Sequence, residues 1–287
     1  MNVTRRRFTV FAIGLLTALA TAAQEPSTPD PESLLKAVVA NQKQLEVARK
    51  NYIFHRHDEE QDTDENGKVK KTTVSDYEVF FVENWQIERL LEKNGKTLND
   101  SEKKKQDETV AKEEKKARER IDREAAGKEP DKEVITMAKF LDADRFYNLR
   151  RTTLNGHEVY AFDFSPRPDF KAHDMSEKIL EALGGTLWVD ENAKQAVRLE
   201  AHLLEGIKIA GGLVGSVKKG ASVVFEEQKI NDEVWMPSYG EVHLDYRLIF
   251  SRKVANVVLH YSDYRKFKVE SKITGYKQME PTAPPRE

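Results

Sequence analysis

The densest group of candidate metal ligands in the sequence is His55-Arg56-His57-Asp58. Two imidazoles spaced two apart on a strand share one face, and zinc is bound by histidines and carboxylates. However, the chain has no HExxH pattern and no third histidine near this group. Tyr52, Phe54 and Arg56 alternate with the histidines, so His55 and His57 are expected to face water. The sequence therefore predicts no metal site and no cofactor.

Residues for covalent catalysis are not arranged in any known pattern. The chain has no cysteine, which excludes disulfides, thiolate nucleophiles, thiolate zinc sites and a lipidated N-terminal cysteine. No Gly-x-Ser-x-Gly elbow is present. Gly211-Gly212-Leu213-Val214-Gly215 lacks the Gly-Lys-Ser/Thr ending of a phosphate loop, so it is either a flexible gate or a plain connector. His173-Asp174 precedes a helix, where capping explains the aspartate. We predict no catalytic residues and no enzymatic activity.

The composition excludes a strong global attraction to polyanions. The 287 residues include 47 basic and 49 acidic side chains, for a net charge of −2, and 33% of residues are charged. Such a balance gives no overall pull toward nucleic acid or an anionic membrane. No nucleic-acid partner is expected, and the oligomeric state stays open.

The N-terminal residues have the order of a secretory signal. Arg5-Arg6-Arg7 precedes the apolar run Phe8–Leu19 and then Ala20-Thr21-Ala22. We therefore expect a signal peptide at 1–23, a linker at 24–30 and export to the periplasm or beyond. Sec export and twin-arginine export both remain open, as does cleavage. The Pro-rich tail 281–287 is expected to be disordered.

Two helices are expected to pack on a sheet. Asp30 as N-cap, Pro31 and Glu32 begin the first, whose apolar residues are spaced three and four apart: Leu34, Leu35, Val38, Val39 and Leu45. The second spans Glu133–Leu141. Between them, Asp100–Gly127 consists almost entirely of Lys, Glu, Arg, Asp, Gln and Ala. We interpret this segment either as a solvated helix or as a partner-binding arm, within a helical insertion at 100–142.

Most of the remaining chain alternates apolar and polar residues with a period of two, as half-buried strands do. Asn66-Gly67, Asn94-Gly95 and Asn155-Gly156 are typical of tight hairpin turns. The strands expected are Tyr52–Asp62, Val69–Val82, Trp85–Leu91, Asn148–Leu154, Glu158–Ser165, Thr186–Asp190, Gln195–Leu204, Ala221–Ile230, Glu241–Phe250, Val254–Tyr261 and Tyr264–Ile273. A Trp235-Met236-Pro237 step, a short helix from Asp174 stopped by Gly184-Gly185, and a mobile loop Ile207–Gly220 complete the prediction.

One hairpin resembles a known family. The segment Leu187-Trp188-Val189-Asp190, followed by Val197-Arg198-Leu199-Glu200-Ala201, resembles the periplasmic outer-membrane lipoprotein-carrier superfamily (LolA/LolB-like). The order of signal, N-terminal helix, β-meander, short helix and this hairpin is similar too. The resemblance implies one α+β domain at 31–280: a large curved antiparallel sheet, an incomplete β-barrel, wrapped around the N-terminal and inserted helices. The charged insertion is a departure from that family. Members of the family have an arginine on the N-terminal strand that contacts the lid helices, and Arg56 is the only candidate for this residue here.

The resemblance also implies an apolar cavity for acyl chains. The residues expected to line it are strand residues with large apolar side chains: Tyr77, Phe81, Trp85, Trp188, Leu199, Leu203, Tyr246, Leu248 and Phe250. An ordinary packed core is the alternative for the aromatic ones. The protein is predicted to be an exported non-enzymatic carrier of a lipid or lipidated ligand. Lipoprotein sorting is one function that such a carrier could have. The alternative is a structural or interaction module of the cell envelope that meets a protein partner through the 100–127 helix.

Overall fold

The structure is a computed structural model that describes residues 29–64, 67–83, 85–127, 135, 137–212, 214–248 and 251–266. The predicted signal peptide, the tail 281–287, most of the linker and Phe250 lie outside these residues. Within the described part of the chain, no helix combines the length and the apolarity that crossing a membrane requires.

One antiparallel sheet of thirteen strands organises the described chain. Its main path runs in the order β4-β3-β2-β1-β13-β12-β11-β8-β7-β6-β5, and β9 and β10 join it through β12. The strands are β1 (Tyr52–Thr63), β2 (Val69–Val82), β3 (Trp85–Lys93), β4 (Lys96–Thr97), β5 (Asp144–Leu154), β6 (His157–Pro166), β7 (Leu183–Asp190), β8 (Ala196–Leu203), β9 (Ile207–Ile209), β10 (Gly215–Val217), β11 (Ser222–Ile230), β12 (Val234–Leu248) and β13 (Ser251–Lys266). The path is not closed between its two ends, β4 and β5. The predicted large, open antiparallel sheet is confirmed.

Three helices pack on one face of the sheet, which we call the inner face. They are α1 (Pro31–Arg49), α3 (Met137–Ala143) and α4 (Met175–Leu180), and a further helix, α2 (Asp100–Ala125), lies elsewhere. Apolar side chains of α1, α3 and α4 meet those of β6, β7 and β8 in the largest core cluster: Leu34, Leu35, Val38, Phe140, Ala143, Tyr160, Phe162, Phe164, Leu180, Leu187, Val189 and Ala201. The first predicted helix is therefore confirmed as a cover. The second predicted helix corresponds to α3 from Met137 onward, and Glu133, Val134 and Thr136 lie outside the described residues.

α2 packs on the outer face of the sheet. Val110 and Ala117 are buried against Val82 and Ile87, and the Arg120 guanidinium lies over the Trp85 ring at 4.6 Å. A capping box of Asn99 and Glu102 begins the helix. The charged segment is thus a helix docked along one side, and most of its other residues are exposed.

Two strand predictions are corrected by β-bulges. The strands predicted at Val254–Tyr261 and Tyr264–Ile273 are continuous within β13 up to Lys266, because the Ser262-Asp263 region is a bulge opposite Ile53 and His55, where Asp263 has φ 53°. Residues 267–273 of the last prediction lie outside the described residues. Trp235-Met236-Pro237 lies inside β12, since a second bulge at Glu226/Glu227 places Pro237 opposite Glu227. In both cases the strand continues through the bulge, and its pairing with the neighbouring strand resumes on the other side.

The predicted mobile loop Ile207–Gly220 is instead largely ordered. β9 and β10 form a short hairpin around a turn at Ala210–Gly212, and β10 pairs with the end of β12. Gly211 and Gly212 take φ values of 68° and 92°, which favour glycine. The glycines of this segment therefore allow the tight turn between β9 and β10.

The family-like hairpin has a structural explanation. Asp190 is buried, and its Oδ1 accepts hydrogen bonds from the backbone N–H groups of Asn192 and Ala193 at 3.0 and 2.6 Å. Contrary to the prediction, Gly184 and Gly185 do not end the short helix. They lie inside β7. The motif therefore fixes the β7–β8 turn and its register.

Candidate functional site

The inner face carries a continuous apolar surface beyond the part that the helices cover. Strand register places Val223 beside Val242 and Val257, and Phe225 beside Gly240 and Leu259. Residues paired across antiparallel strands share a face, so these rows form one surface. We call this surface the floor, and its members are half-buried residues of β8, β11, β12 and β13: Leu199, Val223, Phe225, Val242, Leu244, Tyr246, Val257 and Leu259.

The helices contact one side of the floor. Leu199 and Val223 pack against the core cluster beneath α1, α3 and α4. The described contacts of α1 with β12 lie near the start of that strand, where Arg49 Nε donates to the Trp235 carbonyl oxygen at 2.9 Å. The middle of the floor on β12 and β13 thus retains partly exposed valine and leucine side chains on the face where the core lies.

An ionic cluster adjoins the floor. The Arg56 guanidinium donates to both Asp58 carboxylate oxygens, with Nε–Oδ1 2.7 Å and Nη2–Oδ2 2.9 Å, and it also donates to both Glu88 oxygens. The side chains of Arg56 and Asp58 are only 12% and 16% exposed. One guanidinium thereby neutralises one of two carboxylates, leaving a net negative group beside an apolar surface.

Burial and pairing act in opposite directions on this cluster. Burial lowers the pKa of Arg56, but hydrogen bonds to Glu88 and Asp58 outweigh it and raise that pKa overall. Burial raises the pKa of Asp58, and Arg56 opposes the shift. The Tyr77 ring lies under the guanidinium at 4.7 Å. The arginine is therefore permanently charged and held in place on three sides.

An aromatic group closes the same end of the floor. Phe54 contacts Phe81, Tyr261 and Tyr264 with ring centroids 5.7–6.1 Å apart. The Tyr264 hydroxyl donates to the Pro237 carbonyl oxygen, and burial raises the pKa of Tyr264 to about 12. These rings fill the space between β1, β2 and the start of β12.

The residues expected to line a cavity are distributed over several places. Leu199 and Tyr246 belong to the floor, and Leu248 follows Tyr246 along the same face of β12. Tyr77 and Phe81 pack in the aromatic group with Phe54, and Leu203 is buried in a cluster with Ala182 and Ile207. Trp85 and Trp188 lie on the outer face, beneath α2 and beside Val159 respectively. The structure therefore brings some of them together but not all.

Sequence reasoning missed the pairing of Arg56 with Glu88. Arg56 and Asp58 are two apart on β1 and share the face of Phe54, a signal that the alternation already contains. Glu88 comes from β3, which is separated from β1 by β2. Only the sheet brings it within hydrogen-bonding distance.

A separate cavity of about 280 Å³ lies at the β5–β6 turn, away from the floor. Its lining is largely polar: Leu154, Asn155, His157, Val197, Glu227, Gln228, Lys229, Trp235 and Ser238. Burial raises the pKa of Glu227, while Arg49 at 2.5 Å and Gln195 at 2.8 Å oppose the shift. The charge of Glu227 is thus used to hold α1 on the sheet.

The histidines singled out in the sequence form ordinary pairs. His57 Nδ1 is 2.7 Å from Asp76 Oδ1, and His55 Nδ1 is 3.3 Å from Asp263 Oδ2. Asp174 caps α4 by accepting from the Glu177 N–H at 2.9 Å. No group of three or more metal-binding side chains occurs in the portion of the chain described.

Comparison with known proteins found similarity at the level of three-dimensional structure alone. No protein-family model matches the chain, and no curated protein matches it. A LolA-superfamily protein from Nitrosomonas europaea is 11% identical with a TM-score of 0.34, over 84% of this chain and 97% of that one. A domain named for outer-membrane lipoprotein sorting, from Vibrio parahaemolyticus, is 11% identical with a TM-score of 0.36, over 83% and 95%.

The chain is similar to LolA-superfamily proteins. MucB in its complex with the periplasmic part of MucA is also similar, at 8% identity and a TM-score of 0.23, over 83% of this chain and 100% of that chain. Because all of these TM-scores are below 0.5, the site has to be argued from the residues of this chain.

Proposed function

We propose that the protein is an exported, non-enzymatic carrier that holds a lipid, or the acyl chains of a lipidated ligand, against the floor. The observation that supports this proposal is the row of half-buried apolar side chains across β11, β12 and β13, on the face that also bears the core. Burial of apolar area contributes about 25 cal/mol per Å², before the cost of ordering the ligand.

The ionic cluster gives the proposed site a polar end. An acyl chain lying on Val242, Val257 and Leu259 would end near Arg56 and Asp58. Such a combination of apolar surface and a few fixed polar groups is typical of ligand sites. Tyr77, Phe81 and Leu203, expected to line the cavity, would then border the ligand, and Leu199, Tyr246 and Leu248 would contact it.

Two adjacent valines of β13 provide a matched test. Val257 belongs to the floor and its neighbour Val258 points to the outer face, and both are half-buried. Val257→Asp places a carboxylate against the acyl chain and is expected to weaken binding of a fluorescent fatty acid by at least about tenfold. Val258→Asp is expected to leave binding within about twofold of the unaltered protein, since its side chain does not face the floor.

Native mass spectrometry of protein purified from its own host provides the direct measurement. The proposal predicts a co-purified acyl ligand that Val257→Asp loses and Val258→Asp retains. Protein without acyl ligand that also fails to bind the fatty acid in solution would contradict it, as would equal loss in both variants.

A second candidate, an envelope interaction module, is favoured by the fixed position of α2. Deleting this helix would uncover Phe80, Trp85 and Ile87, so substitutions are the better test. A photo-crosslinking residue at Lys112 should capture one partner, and Lys104→Glu should abolish this capture without changing acyl binding. The same residue placed at Lys229, on β11, is the matched control position. Equal capture at both positions would argue against this candidate.

A further inference from the structure

Exposed apolar residues and cations meet at one end of the sheet, which we call the hairpin end. It comprises the β9–β10 hairpin and the adjoining ends of β12 and β13, described for residues 205–212, 214–220, 245–248 and 251–253. Val214 is 49% exposed and Leu248 is 45% exposed. These two exposed residues lie on neighbouring segments of the same end, since Val214 adjoins Gly215, which pairs with Leu248.

The cations of the hairpin end lie in a row across four strands. Register places Lys208 opposite Ser216, Ser216 opposite Arg247, and Arg247 opposite Arg252. Directly paired residues share a face, so Lys208, Arg247 and Arg252 lie on the outer face, with Ser216 between Lys208 and Arg247. Asp245 lies on the same face and binds Arg252.

Few carboxylates compensate this row. Besides Lys208, Arg247 and Arg252, the described residues of this end include the cations Lys218, Lys219 and Lys253, against the carboxylates Glu205 and Asp245. Asp245 is shared between Arg252, at 2.5 Å, and Lys218, at 3.4 Å. The chain is nearly neutral as a whole, so this positive excess is a local feature.

The apolar and cationic groups lie on different sides of the same end. Leu248 follows Tyr246 along the inner face, whereas Arg247 points to the outer face. Both kinds of side chain are thus present at one end of the sheet, and a structure inserted shallowly into a membrane surface places apolar side chains among the acyl chains and cations at the lipid phosphates.

We propose that the hairpin end docks on the surface of a bilayer containing anionic phospholipid. Val214 and Leu248 would enter the boundary between headgroups and acyl chains, and Lys208 and Arg247 would contact lipid phosphates. The exposed apolar residues argue against a free anion as the ligand, and the cations argue against a purely apolar partner. This docking does not depend on the carrier function proposed for the floor.

Vesicle sedimentation of the full-length chain tests the proposal. We expect binding to vesicles of phosphatidylcholine mixed with phosphatidylglycerol, and much weaker binding to phosphatidylcholine alone. Lys208→Gln with Arg247→Gln should weaken binding roughly thirtyfold, since each cation near an anionic membrane contributes about 1 kcal/mol. Leu248→Asp should also weaken it, because a carboxylate opposes entry into the apolar region.

Two control variants carry the same chemical changes elsewhere. Val47→Asp alters an exposed valine of α1, and Lys229→Gln alters an exposed lysine of β11, near the opposite end of β12. Neither should change vesicle binding. The apolar segment Phe8–Leu19 is present in every variant, so it cannot account for a difference between them.

Circular dichroism and urea unfolding would establish that each variant is folded. The proposal is overturned if the unaltered protein does not bind mixed vesicles, or binds both vesicle types equally. It is also overturned if folded Leu248→Asp and Lys208→Gln/Arg247→Gln bind as the controls do.

Discussion

Gly185 of β7 lies directly against the backbone of Glu200 in β8: a Cβ added to the glycine would stand 1.9 Å from the Glu200 carbonyl oxygen. The obstacle is main chain, which cannot rotate away as a side chain can. The close approach of β7 and β8 beneath the helices therefore requires glycine at this position.

Gly185→Ala is expected to destabilise the fold by roughly 3 kcal/mol, because the two strands must separate. Gly184→Ala is the control, since its Cβ would meet the flexible Leu204 side chain at 3.0 Å, and it should cost less. Urea unfolding of both variants measures the difference. Equal stability of the two would show that the strand spacing is more tolerant than the geometry indicates.

Arg56→Met is expected to destabilise the protein by roughly 3 kcal/mol, because it leaves the shielded Asp58 carboxylate without its partner. Adding Asp58→Asn removes that charge and should recover part of the loss. Chemical denaturation of the single and double variants measures both effects. A double variant no more stable than Arg56→Met would show that packing of the arginine, rather than charge pairing, provides the stabilisation.

Asp144 gives the protein a pH-dependent stability. Its side chain is fully buried, neither carboxylate oxygen has a hydrogen-bond partner, and burial raises its pKa from 3.8 to about 7, although Arg167 opposes the shift. Because the folded pKa is the higher one, the folded state keeps the proton over a pH range where the unfolded state loses it. The free energy of unfolding should fall by roughly 4 kcal/mol as pH rises from 4 to 7, and change little from this group above that.

Asp144→Asn removes the titrating group and should abolish this part of the pH dependence. Urea unfolding at several pH values between 4 and 8 compares the variant with the unaltered protein. An unchanged slope in the variant would assign the pH dependence to other groups.

Docking of α2 depends on Val110, which is 4% exposed against β2 and β3. Val110→Asp should release the helix, because a carboxylate in this contact is costly to bury. Hydrogen exchange of the α2 amides should then rise at least about tenfold. Ala111→Asp alters the next, exposed residue and should not produce this rise. Similar exchange in both variants would mean that the capping box and the charged pairs hold the helix.

Alternation of apolar and polar residues was sufficient to predict most strands of this protein. β2 was predicted at its observed bounds, Val69–Val82, from the alternation of its residues between two faces. Asn94-Gly95 and Asn155-Gly156 have positive φ at both residues, as their chemistry predicts. These features depend on each residue's own backbone preferences and its immediate neighbours.

The sequence determined the local elements: the strands, the tight turns, α1 with its apolar stripe, and the absence of cysteine chemistry. Tertiary structure decided how they meet, including the pairing of Arg56 with Glu88, the position of Trp85 beneath α2, and the β9–β10 hairpin on β12. The bulges in β13 and β12 also depend on pairing with the partner strands β1 and β11. Local backbone preference is encoded within a few residues. Strand register, and the face of the sheet on which each side chain lies, depend on strands that are far apart in the chain. Only the assembled sheet therefore determines which side chains share the floor.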